Sequence, residues 1–206
     1  MGKSAAMAKP KGKELSIPPI NLGRLTLRLV SDSPLICHQF SSKAKQSMLD
    51  KQMKKPTQAK QAKDPEAEYK ASLYPHPDGG YGFPCSAFKN AAVDACSHAD
   101  GITKVVARGA FHVIGDLVKI IGKPSMREDT VIIGMGVADI RYRGEFKAWE
   151  VELEISYNLN MISAEQIVNL FNIAGFAIGA GEWRPQRDGN HGMFHVGLVK
   201  EARKAA

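Results

Sequence analysis

Residues 175–194, GFAIGAGEWRPQRDGNHGMF, place five glycines, two arginines, a tryptophan and a histidine directly after a strongly apolar segment. Residue types in this combination suit gripping an anionic backbone. Gly179 and Gly181 stand where the apolar run ends, and glycine lets a main chain reach positive φ and bring its N–H groups close to a phosphate. Arg184 and Arg187 carry guanidinium forks that match phosphate oxygens. Trp183 and His191 offer flat rings on which a base can stack. The same residues also spell a helix stop followed by an ordinary hairpin, since glycine is the usual residue just past a helix end. Trp183, on that reading, is a core or subunit-contact residue.

A second cationic element lies far away in the chain. Residues 41–55, SSKAKQSMLDKQMKK, are good helix formers, and Pro56 is a stop. Lys43, Lys45, Lys51, Lys54 and Lys55 outnumber the one acid, Asp50. Met48, Leu49 and Met53 form an apolar stripe too narrow for a core helix, so the element is expected to project. The charge of the whole chain follows the same asymmetry. Residues 1–70 hold 14 Lys and Arg against 6 Asp and Glu, whereas the remainder holds 14 against 15, for a net +7. A basic front on a near-neutral body suits a polyanionic partner, with a solubilising tail as the plainer alternative.

Residues for catalysis are less well organised. No pair among His38, His98, His191, Asp64 and Asp78 has a defined spacing, so solvent-facing histidines and turn aspartates are the plainer reading. Glu150, Glu152 and Glu154 alternate along one strand without a matching His or Asp, which reads as a solvated or interface face rather than a metal site. Cys37, Cys85 and Cys96 are an odd number with no C-x-x-C spacing, so reduced thiols packed as small hydrophobes are expected. No cofactor and no metal are expected.

At 206 residues, 44% of them hydrophobic, the chain is long enough to bury a core. No apolar run approaches the roughly 20 residues of a membrane span, and the basic N-terminus lacks the apolar core of a secretory signal, so a cytoplasmic protein is expected. Residues 1–20 read as a basic arm and 21–206 as one domain with an insertion over 41–80. The expected elements begin with a half-buried strand in which Leu25, Leu27 and Leu29 face inward, followed over Leu35–Phe40 by a short second strand or a bent extension of the first. Residues 56–80 read as a structureless loop. Ser86–Ser97 reads as a helix with Pro84 at its entry and Ser86 as N-cap. Residues 104–157 read as strands, the clearest turning Val151, Leu153, Ile155 and Tyr157 inward. Ser163 and Gln166 form a capping box opening a helix that is apolar on most sides, Phe176 included. Met193–Val199 closes the chain as a strand. The predicted fold is α+β: a ferredoxin-like or RRM-like antiparallel sheet with two core helices, a large basic insertion and a C-terminal glycine-rich loop.

Two of these segments are similar to motifs of the RAMP superfamily, the repeat-associated proteins of CRISPR effector complexes. Gly82-Phe83-Pro84-Cys85-Ser86-Ala87-Phe88-Lys89 resembles their I-P-G-S-S-L-K-G motif, with Cys85 and Asn90 in place of glycines. Gly179-Ala180-Gly181 through Gly189-Asn190-His191-Gly192-Met193-Phe194 resembles their glycine-rich loop, here longer. Order and separation match as well. The resemblance implies an RRM-like palm with an inserted finger or thumb at the lysine-rich segment, as in the backbone subunits that polymerise along guide RNA. It also implies an anion held near Ser86 and Lys89 at a helix N-terminus.

The expected function is therefore non-catalytic binding of single-stranded RNA or DNA by a protein that oligomerises along the strand, alone or with other subunits. The resemblance also implies, as the runner-up, a RAMP-type endoribonuclease with His38, His98 or His191 as general base or Asp64 or Asp78 as a cleaving thumb aspartate, and it extends to a phage or mobile-element relative that shares the fold without the CRISPR role. A virion or other assembly protein with a basic arm, and an annealase, are further alternatives. Backbone and stacking contacts do not distinguish RNA from DNA.

Overall fold

The computed structural model describes residues 19–40, 42–56, 62–133 and 136–202, and the side chains of these except 42–44, 133 and 200–202. The expected basic arm therefore lies almost wholly outside the described residues, as does the side chain of Lys43.

The alternation of β1 (Leu22–Ser31) puts Leu25, Leu27 and Leu29 in the core and Arg24, Thr26 and Arg28 on the other face. β9 (Glu150–Asn158) pairs with it antiparallel and buries Val151, Leu153, Ile155 and Tyr157 on the same side. β5 (Phe111–Val113) and β10 (Phe194–Ala202) complete an antiparallel sheet in the order β10-β1-β9-β5. Two helices cover its apolar face, α3 (Cys85–Ala95) and α5 (Ala164–Ile173), the latter opened by the Ser163–Gln166 capping box. This is the ferredoxin-like, RRM-like α+β order that the sequence predicts. Phe88 of α3 is the centre of the core, with ring centroids 5.8 Å from Phe83, 6.2 Å from Trp149 and 5.8 Å from Phe194.

Everything else is inserted between these elements. β2 (Leu35–Cys37) leaves the end of β1 and pairs with β8 (Val137–Phe146), which forms a ten-residue hairpin with β7 (Pro124–Ile133). At about 3.3 Å per residue such a hairpin reaches some 30 Å. α1 (Ser42–Gln52) carries Lys43, Lys45 and Lys51, Lys54 and Lys55 follow in the turn after it, and Lys45, Lys51, Lys54 and Lys55 are all exposed. A third small sheet joins β3 (Tyr74–Pro75), β4 (Tyr81–Pro84) and β6 (Leu117–Lys119).

Several expectations need correction. The segment over 56–80 is not structureless where it is described: α2 (Pro65–Ser72) forms there and packs on β8, because Asp64 accepts from the Ala67 amide at 3.1 Å and Pro65 pre-sets the first helical φ. Residues 104–110 are a helix, α4, rather than a strand, with Thr103 Oγ1 accepting from the Val106 amide at 3.3 Å. The strand expected over Leu35–Phe40 ends at Cys37. Ser86 does not cap α3. The helix begins one residue earlier, Pro84 occupies the cap position, and Ser86 is exposed within the first turn. Phe176 sits on a π-helical turn, Ala174–Ile178, that rotates its ring outward to 75% exposure.

Candidate nucleic-acid interface

The two motifs meet. The start of α3 and the loop after the π turn face each other across a groove of about 570 Å³, to which Ser86 and Lys89 contribute from one side and Gly179, Gly181 and Arg184 from the other. Arg108 of α4 joins them.

Three cations of this groove form no ion pair with a carboxylate among the described residues. Lys89 Nζ donates to Arg108 O at 3.1 Å and to His112 Nδ1 at 2.9 Å, and lies 5.9 Å from the centroid of Phe111. Partial burial pushes its pKa down. Arg184 donates through Nη1 to Gly181 O at 3.0 Å, and through Nε and Nη2 to Gln186 Oε1, each at 3.2 Å. Gln186 in turn donates to Asp94 Oδ2 at 2.9 Å, and Lys104 donates to Asp94 Oδ1 at 2.9 Å. Asp94 is thus neutralised by Lys104 outside the arginine fork, and that hydrogen bond is the first cause of its lowered pKa. The cationic charge of Lys89, Arg108 and Arg184 remains available to a ligand.

The glycines behave differently from expectation. Gly179, Gly181 and Gly192 do adopt positive φ, at 71°, 78° and 68°. Most of their neighbours' amides are nonetheless taken by protein carbonyls: Ala180 donates to Gly192 O, Gly192 to Pro34 O, Glu182 to Ile36 O and His191 to Trp183 O. A Cβ on Gly192 would lie 1.7 Å from Ala180 O, and one on Gly189 1.8 Å from Trp183 O. The glycines therefore serve close packing of the loop on itself, and among the described residues the amides left without a partner include those of Gly181 and Trp183.

Trp183 takes φ +54°, a left-handed conformation that a bulky residue adopts only under constraint. Its ring is 44% exposed and, with Arg184 and Arg187, lines a smaller cleft next to the main groove. His191 is not a free stacking face. Its ring is half-buried at the foot of the β7–β8 hairpin, with Nε2 3.4 Å from Arg127 Nη1. Lys45, Lys51, Lys54 and Lys55, in and just after α1, do not line the groove either. Their helix leaves from its rim, starting four residues after His38, which does line it.

The groove also holds Glu182, which sequence reasoning passed over. Its Oε1 lies 3.2 Å from His38 Nδ1, and this contact, aided by the charges of Arg143 and Arg184, keeps its carboxyl below the ordinary range. Arg108, Asp94 and Gln186 were passed over as well. They enter the site through tertiary packing, and no local pattern marks them.

The open face of the main sheet, where an RRM-like fold has its free surface, is a poor polyanion site. Glu150, Glu152 and Glu154 stand on it, and Arg28 is paired with Glu150. Among the described residues no cluster of His, Cys, Asp and Glu is arranged to hold a metal, and no helix is long and apolar enough to cross a membrane.

No protein-family model matches the sequence, and no curated protein matches it. Among solved structures, the cryo-electron microscopy structure of the Type III-B Cmr-beta bound to cognate target RNA contains a chain similar to this one, with a TM-score of 0.53 and 10% identity. The match covers 87% of this chain and 60% of that chain, so this chain spans about three fifths of the length of that neighbour. The likeness is one of fold, an antiparallel α+β arrangement of the ferredoxin-like, RRM-like kind.

Proposed function

We propose that this protein is a non-catalytic RNA-binding subunit of a CRISPR-type ribonucleoprotein assembly, which holds a single strand in the groove between α3 and the glycine-rich loop. The observation that carries the reading is the convergence of Lys89, Arg108 and Arg184, none of them in an ion pair with a carboxylate among the described residues, beside an outward-facing Trp183. Cations that lack a carboxylate partner attract the phosphates of a nucleic-acid strand, and exposed aromatic rings suit stacked bases. The similarity of fold to a chain of an RNA-bound complex supports RNA over DNA. Repetition along the strand is supported by the β7–β8 hairpin, which leaves Ile132, Val137 and Ile140 exposed near its end, apolar surface suited to a neighbouring subunit.

The non-catalytic assignment is supported by what the candidate groups do. Asp64 caps α2, Asp78 sits in a turn beside His76, His38 is engaged with Glu182, and His191 lies against Arg127. The test is fluorescence anisotropy with a labelled single-stranded RNA across a salt series. Contacts to about six phosphates lower affinity by around three orders of magnitude between 50 and 200 mM salt. Binding that ignores salt, or cleavage of the RNA by the purified protein, overturns the reading.

A further inference from the structure

We infer that the groove reads a guanine base, with Glu182 and Arg184 taking its two polar edges. The inference rests on the RNA-binding reading of the same groove and adds base selectivity to it. It starts from a carboxylate that the simpler reading leaves unexplained. Glu182 lines a groove with Lys89, Arg108 and Arg184 and with Asp94, but Asp94 is paired with Lys104 whereas Glu182 has no Lys or Arg ion pair among the described residues, and a carboxylate there repels a phosphate chain. If phosphate were the sole ligand, this residue would weaken the site.

The hydrogen bonds already made define what is left over. Arg184 has five N–H donors, of which one on Nη1 goes to Gly181 O and those on Nε and Nη2 go to Gln186 Oε1. Among the described residues two remain, one on each terminal nitrogen, on a guanidinium whose orientation is held through Gln186 by Asp94. Glu182 uses Oε1 toward His38, which leaves Oε2 as an acceptor. The groove thus presents a carboxylate acceptor and a paired guanidinium donor from residues two apart on one loop. Guanine is the base that answers both. Its O6 and N7 accept from a guanidinium fork, and its N1–H and N2–H₂ donate to a carboxylate. Adenine offers N6–H₂ beside N7, which opposes one arm of the fork, and pyrimidines lack N7 altogether. A groove of about 570 Å³ is within the size range of small-molecule pockets and has room for one nucleotide, with Tyr74 and His38 in its wall to pack against the ring.

The guanine can arrive within a strand or as a free nucleotide, and the experiment separates the two. Anisotropy would be measured with uridine 12-mers carrying one central guanine, adenine, inosine or 7-deazaguanine, together with competition by guanosine monophosphate. The expected result is binding of the guanine oligomer at least about tenfold tighter than the adenine one, the discrimination typical of one good bidentate contact. Inosine, which lacks the N2 amine, and 7-deazaguanine, which lacks the N7 acceptor, should each lose several-fold. Glu182→Gln should abolish the sensitivity to inosine and, by removing a charge that repels phosphate, should bind an all-uridine oligomer more tightly than wild type does. Because the base analogues test the wild-type protein, the result does not depend on a variant folding. Equal binding of all oligomers overturns guanine recognition and leaves RNA binding standing. Failure of every RNA to bind, with guanosine monophosphate still bound in a Glu182-dependent way, retains the guanine site and overturns the RNA reading. Failure of RNA and nucleotide alike overturns both.

Discussion

The main chain of Gly189 passes so close to Trp183 that a Cβ on the glycine would lie 1.8 Å from the tryptophan carbonyl oxygen. The same carbonyl accepts from the His191 amide at 3.0 Å. Two contacts thereby lock Trp183 in its left-handed conformation and turn the indole toward solvent. Gly189→Ala must push the two strands of the loop apart. The expected cost is about 1–3 kcal/mol, the usual range for overpacking, with loss of the outward pose of the ring. Trp149 is buried and donates to Ser33 O at 2.9 Å, so acrylamide quenching reports almost entirely on Trp183. The substitution should change the quenchable fraction and lower RNA affinity, and unchanged quenching would show that the loop is not held in this way.

Gly175 and Gly109 form a contrasting pair. A Cβ on Gly175 would lie 1.7 Å from Phe194 O and 2.8 Å from Phe194 Cδ2, in the aromatic centre of the core, whereas one on Gly109 meets nothing within 4 Å. Gly175→Ala is expected to destabilise the protein by about 3 kcal/mol. Gly109→Ala, in the exposed turn of α4, should stabilise it by about 0.5–1 kcal/mol. Urea unfolding of the two variants measures both effects.

Acid should loosen the loop in a narrow and predictable range. Asp94 is held below its ordinary pKa chiefly by Lys104, and Glu182 chiefly by His38. A carboxyl lowered by folding contributes stability in full above its unfolded value, roughly pH 4 to 4.5, and loses it as pH falls through the lower folded value. The loop should therefore stay docked on α3 through neutral and mildly acidic conditions and release below about pH 4. Trp183 fluorescence against pH reads this. Asp94→Asn should remove the Asp94 contribution and flatten the transition, with little effect on Trp149.

Burial pushes the Cys37 thiol up to about 12, and Cys85 and Cys96 are raised for the same reason. None of the three should react with iodoacetamide at neutral pH except by unfolding. Labelling rates should rise in step with the urea transition, and fast labelling of the native protein would contradict the packing around them.

The main sheet was legible because two strands, β1 and β9, alternate cleanly, and α5 because Ser163 and Gln166 announce it. α2 carried a local signal too, Asp64 followed by Pro65, but the polar composition of the segment masked it. α4 was hidden by Val105 and Val106, whose β-branched side chains favour a strand in isolation, and which the Thr103 cap holds in a helix. Lys89 and Arg184 could be proposed for one site because each belongs to a recognisable motif. Arg108, Asp94 and Glu182 could not, since only the docking of α4, α3 and the loop brings them together. The glycines misled in one respect: their spacing suggests open amides, and packing the loop against itself and β2 takes most of those amides.

The claim on which the account turns is that the groove, rather than the open face of the sheet, holds the nucleic acid. It is tested most directly by comparing the RNA dissociation constants of Lys89→Glu and Arg24→Glu at one salt concentration. Lys89 faces the groove, while Arg24 stands on the sheet face beside the glutamates. Lys89→Glu should weaken binding at least about tenfold and lower the salt dependence by roughly one contact, with Arg24→Glu within about twofold of wild type. The reverse order would place the strand on the sheet and contradict the account.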